Sequence, residues 1–185
     1  MTDIKQSRIL IIATDGFEQS ELTVPRDKLR QAGAKVEVAS PSGRAIRGWN
    51  HTDWGDSVDV DLKIADAKPE QYDALVIPGG QINPDKLRID GDAMGVVKAF
   101  LKDGKVVAAI CHGPWLLVEA DAVRDRAVTS FKSIRTDVVN AGGKWVDRDV
   151  VVDRGIVTSR SPDDLDAFCS KIVEEVNEGR HKRAA

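Results

Sequence analysis

Three short runs, Arg8–Ala13 (RILIIA), Ala74–Ile77 (ALVI) and Lys105–Ile110 (KVVAAI), are almost wholly apolar, show no polar alternation and end at turn sequences. A strand with one wet face alternates, whereas a strand covered on both faces does not. These runs therefore require a sheet packed between two layers. Helical patterns fall between them: Glu18–Gln31, closed by Gly33; Pro84–Arg88; Ala93–Asp103; Gly113–Ala120; Ile134–Asn140; and Pro162–Asn177, which Ser161 is placed to cap. Lys35–Ala39 reads as a further strand and Val58–Leu62 as an edge strand. Residues 144–153 and 154–159 read as a hairpin around Asp153-Arg154-Gly155, and Arg44–Asp56 as a hairpin or long surface loop. Strands alternating with helices predict an α/β fold: a single-domain, doubly wound, mostly parallel flavodoxin-like sheet with helices on both faces, its core spanning about residues 8–178. The chain has 185 residues, enough for one such core and too few for two.

In a sheet of this kind ligands bind beyond the carboxyl ends of the strands. Three turns share that edge: Thr14–Glu21, Pro78–Asp85 and Cys111–Trp115. The third places a thiol and an imidazole, Cys111-His112, directly between a buried strand and a helix. An isolated free cysteine is most often a small core residue. At a sharp strand-to-helix turn, however, the side chain points out over the sheet edge, as in a nucleophile elbow. The helix start is also expected to favour thiolate and lower the thiol's pKa. Cys169 lies within the last helical pattern beside Phe168 and Ile172, and belongs to the core.

Composition narrows the partners. A formal charge of −3 disfavours nucleic-acid and membrane-surface roles. The basic stretch Arg180–Arg183 reads as a frayed end. The apolar run Ile9–Ala13 is too short for a signal-peptide core or a membrane span, so a cytoplasmic location is expected. Two cysteines form no disulfide framework, and neither cysteine nor histidine has zinc spacing, so no metal is expected. Of the four tryptophans, Trp115 is placed to line a pocket beside the elbow; core or interface suits Trp49, Trp54 and Trp145.

The segments AICHGPWLL, ATDGFEQSELTVP, ALVIPGG and VVVDRGIVTSRSPDDL occur in the order found in the PfpI branch of the ThiJ/PfpI superfamily, which the chain resembles from Arg8 to Val176. Trp49–Asp56 (WNHTDWGD) is longer than that pattern predicts. The resemblance implies that Cys111 is a nucleophile and that Glu21 is a carboxyl sharing a hydrogen bond with its sulfur. Such a carboxyl helps only when protonated, since an ionised one repels thiolate. Glu18, one helical turn earlier, is the rival for this role. Two solvated glutamates serving the helix dipole are the plain alternative. His112 is implied as general acid or base. Its orienting acid in the family comes from a neighbouring subunit, and Asp85 matches it, with one extra loop residue and Asp in place of Glu. The Gly79 and Gly80 amides, with that of His112, are implied as an oxyanion hole.

Three functions use these residues. In the first, Cys111 attacks small reactive aldehydes such as methylglyoxal, or their protein adducts, and the hemithioacetal rearranges to a hydroxy acid without glutathione, metal or other cofactor. In the second, Cys111, His112 and Asp85 make a peptidase triad across a homodimer or higher homo-oligomer. In the third, Cys111 is a non-catalytic sensor of oxidative stress. The expected partners are small carbonyl compounds or peptides, and further copies of the chain.

Overall fold

The three apolar runs lie side by side at the centre of a sheet in the computed structural model, which describes residues 3–180. In chain order the elements are β1 (Arg8–Ile12), β2 (Phe17–Glu18), α1 (Gln19–Gln31), β3 (Lys35–Ser40), β4 (Ile46–Asn50), β5 (Asp53–Val58), β6 (Leu62–Lys63), β7 (Ala74–Ile77), α2 (Ile82–Leu87) and α3 (Gly91–Lys102). There follow β8 (Val106–Ile110), α4 (Pro114–Glu119), β9 (Ala127–Val128), α5 (Arg135–Asn140), β10 (Lys144–Trp145), β11 (Val150–Asp153), β12 (Ile156–Ser159) and α6 (Leu165–Glu178). The main sheet runs β11-β12-β8-β7-β1-β3-β6, and only β11 is antiparallel to its neighbour.

Successive residues of one strand point to opposite faces. Ile9 and Ile11 of β1 accordingly join one core with Leu22 and Leu29 of α1 and Phe168, Cys169 and Ile172 of α6. Leu10 and Ile12 join the other, with Val97 and Phe100 of α3, Leu116 and Leu117 of α4, and Val138 of α5. β7 and β8 divide in the same way, which is why none of the three runs alternates. This is the expected flavodoxin-like α/β sandwich.

Several local expectations give way. Val58 closes the hairpin β4–β5, and the edge strand is only Leu62–Lys63. Asp61 explains the break: its carboxylate, not a strand carbonyl, accepts the Val38 amide at 2.8 Å. Residues 144–153 are not one strand. β10 pairs with β9 in a separate two-stranded ladder, and the hairpin partner of β12 begins at Val150. Ser161 makes no side-chain cap. The carboxylate of Asp164 instead takes the Arg160 amide and guanidinium, and a 3₁₀ turn over Pro162–Asp164 leads into α6. The basic end from His181 onward lies outside the described residues.

Arg44–Asp56 resolves as part of a true hairpin. β4 pairs with β5, and also with β2, through Phe17↔Gly48 and Glu18↔Trp49. Glu18 is therefore extended chain preceding α1 rather than its first helical residue. Gln19 fastens the hairpin from below, accepting the Asp56 amide at 2.6 Å and donating to its carboxylate at 3.1 Å. Gly48 permits this approach, because a Cβ there would sit 3.2 Å from both the Phe17 ring and Gln19.

Candidate active site

β8 ends at Ile110, and the next residue turns back sharply. Cys111 has φ 63, a left-handed conformation that costs a side-chain-bearing residue about 1–3 kcal/mol and persists only where its surroundings impose it. The surroundings are specific. The Cys111 amide donates to Ser159 O (3.0 Å), its carbonyl accepts the Phe131 amide (2.8 Å), and Gly113 N–H closes the turn on Ile110 O (2.8 Å). Gly113 is required because a Cβ would lie 2.7 Å from Ile77 O and 2.8 Å from Ile110 O. This is the elbow geometry that the strand–Cys-His-Gly-Pro–helix pattern predicts.

Two residues flank the thiol. His112 Nδ1 lies 3.2 Å from Cys111 Sγ, and His112 Nε2 lies 3.1 Å from Ser133 Oγ. A neutral ring protonated on Nε2 satisfies both contacts, donating to the serine and accepting from the thiol. Burial holds His112 below its ordinary value, against a smaller opposing pull from Asp137, which favours that neutral ring. On the other side Glu21, fully buried on α1, accepts the Gly79 amide at Oε2 (2.9 Å). Its Oε1 has no nitrogen or oxygen partner, and the carboxyl hydrogen-bonds with the Cys111 side chain. Burial first, then the neighbouring Glu18, pushes Glu21 up to about 8. It is therefore mainly protonated at neutral pH.

The thiol does not show the expected lowering by the helix start. α4 has only six residues, and burial outweighs it. Burial, followed by the charge that Glu21 acquires on ionising, pushes the Cys111 thiol up, while the Gly80 and His112 amides pull it back. Access still separates the two cysteines. Cys111 lines a cavity, whereas Cys169 is packed in the core and pushed up to about 11 by burial. A brief iodoacetamide pulse at pH 7 is expected to alkylate Cys111 at least ~10-fold faster than Cys169. Peptide mass spectrometry reads the ratio, and comparable labelling would contradict access to Cys111 through the cavity.

The cavity over the sulfur has a volume of about 360 Å³. Glu18, Glu21, Gly80, Gln81, Cys111 and His112 contribute from the three turns that share the sheet edge, as expected. Trp49 and His51 come from the hairpin β4–β5, Phe131 from the segment after β9, and Pro162 and Asp163 from the 3₁₀ turn before α6. Phe131 stacks on the His112 ring at 5.0 Å. Buried Asn83 ties two of the turns together, accepting the Thr14 amide (2.7 Å) and donating to Pro78 O (2.9 Å).

Two sequence-derived placements change, those of Gly79 and Trp49. The Gly79 amide is spent on Glu21, so Gly80 and His112 are the amides that face the sulfur. Gly79 instead provides room: a Cβ there would fall 2.5 Å from Glu21 Oε2 and 2.6 Å from Cys111 Cβ. Asp85 lies exposed on α2, beside an adjoining cavity of about 390 Å³, and within one chain it does not meet His112. Trp115 lines that adjoining cavity, packs edge-on against His112 (5.1 Å) and donates to Asp137 (2.8 Å). Trp49 does line the Cys111 cavity. Glu18 and Glu21 are both present, but only Glu21 bonds the thiol. His51, Ser133 and Asn83 carry no local sequence signal, since only the tertiary fold brings them to the site.

Fold and site together define a parallel α/β protein with an elbow cysteine between an imidazole and a buried carboxyl. The chain belongs to the DJ-1/PfpI family, whose model matches residues 7–175. It is 44% identical to protein/nucleic acid deglycase 2 of Escherichia coli, covering 87% of this chain and 92% of that one. It is 41% identical to a deglycase of Thermococcus kodakarensis, covering 90% and 98%. Among solved structures, Drosophila melanogaster DJ-1beta superposes with a TM-score of 0.83 at 28% identity, covering 96% of this chain and 95% of that one. No helix among the described residues is long and apolar enough to cross a membrane.

Proposed function

We propose that this chain is a cysteine-dependent deglycase, which removes dicarbonyl-derived groups from amines without glutathione or metal. The observation that carries this is the position of Cys111 Sγ, between a neutral-ring His112 at 3.2 Å and a carboxyl that stays protonated to about pH 8. Relatives named deglycases at 41–44% identity support it.

The steps follow from what each group holds. An amine and methylglyoxal form a hemiaminal, R–NH–CH(OH)–CO–CH₃. His112 Nδ1 takes the thiol proton as Cys111 attacks the carbinol carbon. The C–N bond breaks, and the leaving nitrogen receives that proton from His112, whose ring is neutral again. The resulting hemithioacetal gives its C1 proton to the neutral His112 ring and gains the Glu21 proton at C2, while its hydroxyl proton moves from O1 to O2. That rearrangement makes a lactoyl thioester. Water then cleaves it to lactate, giving a proton back to Glu21 while His112 returns one to the sulfur, so the net reaction is hemiaminal plus water to amine plus lactate. The Gly80 and His112 amides face the sulfur and are placed to hold the oxyanion.

The other two readings fit the site less well. A peptidase needs an acid on the imidazole, and His112 Nε2 meets the Ser133 hydroxyl. A peroxide sensor needs an exposed, low-pKa thiol, and Cys111 is 6% exposed and pushed up. The expected result is that preformed methylglyoxal adducts of Nα-acetyl-lysine release amine and lactate in equal amounts with a chelator present and glutathione absent. A peptide library is expected to remain intact. Peptide cleavage without lactate release would overturn the proposal.

A further inference from the structure

Two rings hold His112 in its plane. Phe131 stacks on it at 5.0 Å, and Trp115 meets it edge-on at 5.1 Å. Neither contact decides which nitrogen carries the hydrogen of the neutral ring, and the reaction depends on that choice. Only a ring protonated on Nε2 leaves a lone pair on Nδ1 for the thiol proton. The sulfur decides little, because a thiol is both a weak donor and a weak acceptor. At the far edge of the ring stands Ser133, its Oγ 3.1 Å from Nε2.

The elbow itself sets the place of that hydroxyl. Ser133 is the middle residue of a 3₁₀ turn, Lys132–Ile134. The Phe131 amide before the turn donates to Cys111 O at 2.8 Å, the Ile134 amide closes on Phe131 O at 3.1 Å, and Ile134 is buried. One short segment thus carries a backbone bond to the nucleophile, a ring over the imidazole and a hydroxyl at its outer nitrogen. Asp137, whose charge acts on His112 from α5, is occupied by Trp115 Nε1 at 2.8 Å. Ser133 is not among the residues that line the Cys111 cavity.

We propose that Ser133 is a positioning residue for this chemistry: its hydroxyl accepts the Nε2 hydrogen and so fixes the tautomer that His112 presents to Cys111. This rests on the deglycase reading for the reaction it serves. Hydrogen bonds then run one way through the site. Protonated Glu21 offers a donor to the sulfur, the thiol hydrogen turns to Nδ1, and Nε2–H turns to the serine. When His112 takes the thiol proton, the same hydroxyl holds the imidazolium, because Nε2 donates in both states. Without that acceptor the ring moves its hydrogen to Nδ1 and loses the lone pair that faces the thiol.

Nitrogen-15 NMR of histidine-labelled, full-length protein at pH 7 reads the tautomer. The His112 signals are those lost in His112→Gln protein. Wild-type protein is expected to carry the hydrogen on Nε2. Ser133→Ala protein, checked for fold by circular dichroism, is expected to shift toward Nδ1–H. Its kcat for lactate release should fall about tenfold, with KM within about twofold. Its Cys111 should react with iodoacetamide about tenfold more slowly. Ser133→Thr keeps the hydroxyl and should bring both rates back to within about threefold of wild type. A wild-type ring protonated on Nδ1 overturns the inference. So does an unchanged tautomer in Ser133→Ala protein, whatever its rate, and so does a Ser133→Thr protein as slow as Ser133→Ala. If Ser133→Ala fails to fold, the wild-type spectrum and Ser133→Thr decide. Absence of lactate release from wild-type protein removes the deglycase reading alone, since the spectra and the alkylation rates still judge Ser133.

Discussion

Glu21→Gln protein is expected to lose activity by 10²–10⁴-fold in kcat/KM, the range for removing a positioned proton-transfer group, while keeping its fold. Glutamine can still accept the Gly79 amide and donate to sulfur, but it cannot release and regain a proton. The same substitution should change how stability depends on pH. Glu21 has a folded value near 8 against an ordinary 4.5, so the folded state holds this proton where the unfolded chain has lost it. That stability is fully present below about pH 4.5 and is lost as pH rises through 8, at about 1.4 kcal/mol per unit. The total is on the order of 5 kcal/mol. Urea unfolding of both proteins at pH 5 and pH 8.5 isolates the effect. The wild type should weaken more than the variant over that interval. Parallel pH profiles would show that Glu21 is ionised throughout and deny it the role of proton carrier.

Cys111→Ser should lower lactate release by at least ~10⁴-fold, since the hydroxyl is a far poorer nucleophile and the neutral His112 ring beside it is too weak a base to ionise it. Stability should shift by no more than about 1 kcal/mol, because serine is smaller than cysteine and keeps both backbone bonds of the elbow. Calorimetry and the lactate assay together make the test. Retained turnover would locate the reactive group elsewhere in the cavity.

The sheet was readable in the chain because its signals are local. Ile9 to Ile12 face two cores in turn, and that double burial leaves a continuous apolar run. Cys111 was readable for the same reason, as it interrupts such a run immediately before Gly-Pro. Glu21 became a candidate only through the family pattern. The features that were missed depend on contacts far apart in sequence. β2 is two residues long and exists because β4 pairs with it, so no periodicity marks it. That pairing moved Glu18 out of the helix and turned its carboxyl toward the cavity. Ser133 reaches His112 across 21 residues, and nothing in Lys132-Ser133-Ile134 announces it. The thiol's electrostatics were misjudged because a helix start can be read from sequence, whereas the burial that outweighs it cannot.

The hairpin β4–β5 is held by a two-residue ladder, the Gln19–Asp56 clasp, the Arg47 bonds to Asp15 and Gly16, and the burial of Ile46 and Val58, all of them away from the thiol itself. Yet it supplies Trp49 and His51 to the cavity wall. Part of the cavity wall thus lies on a different module of the chain from the reacting groups. Residues on the hairpin can diverge under selection for new substrates without disturbing the tightly packed glycines, thiol and carboxyl beneath. One inherited reaction can in this way be offered to many different molecules.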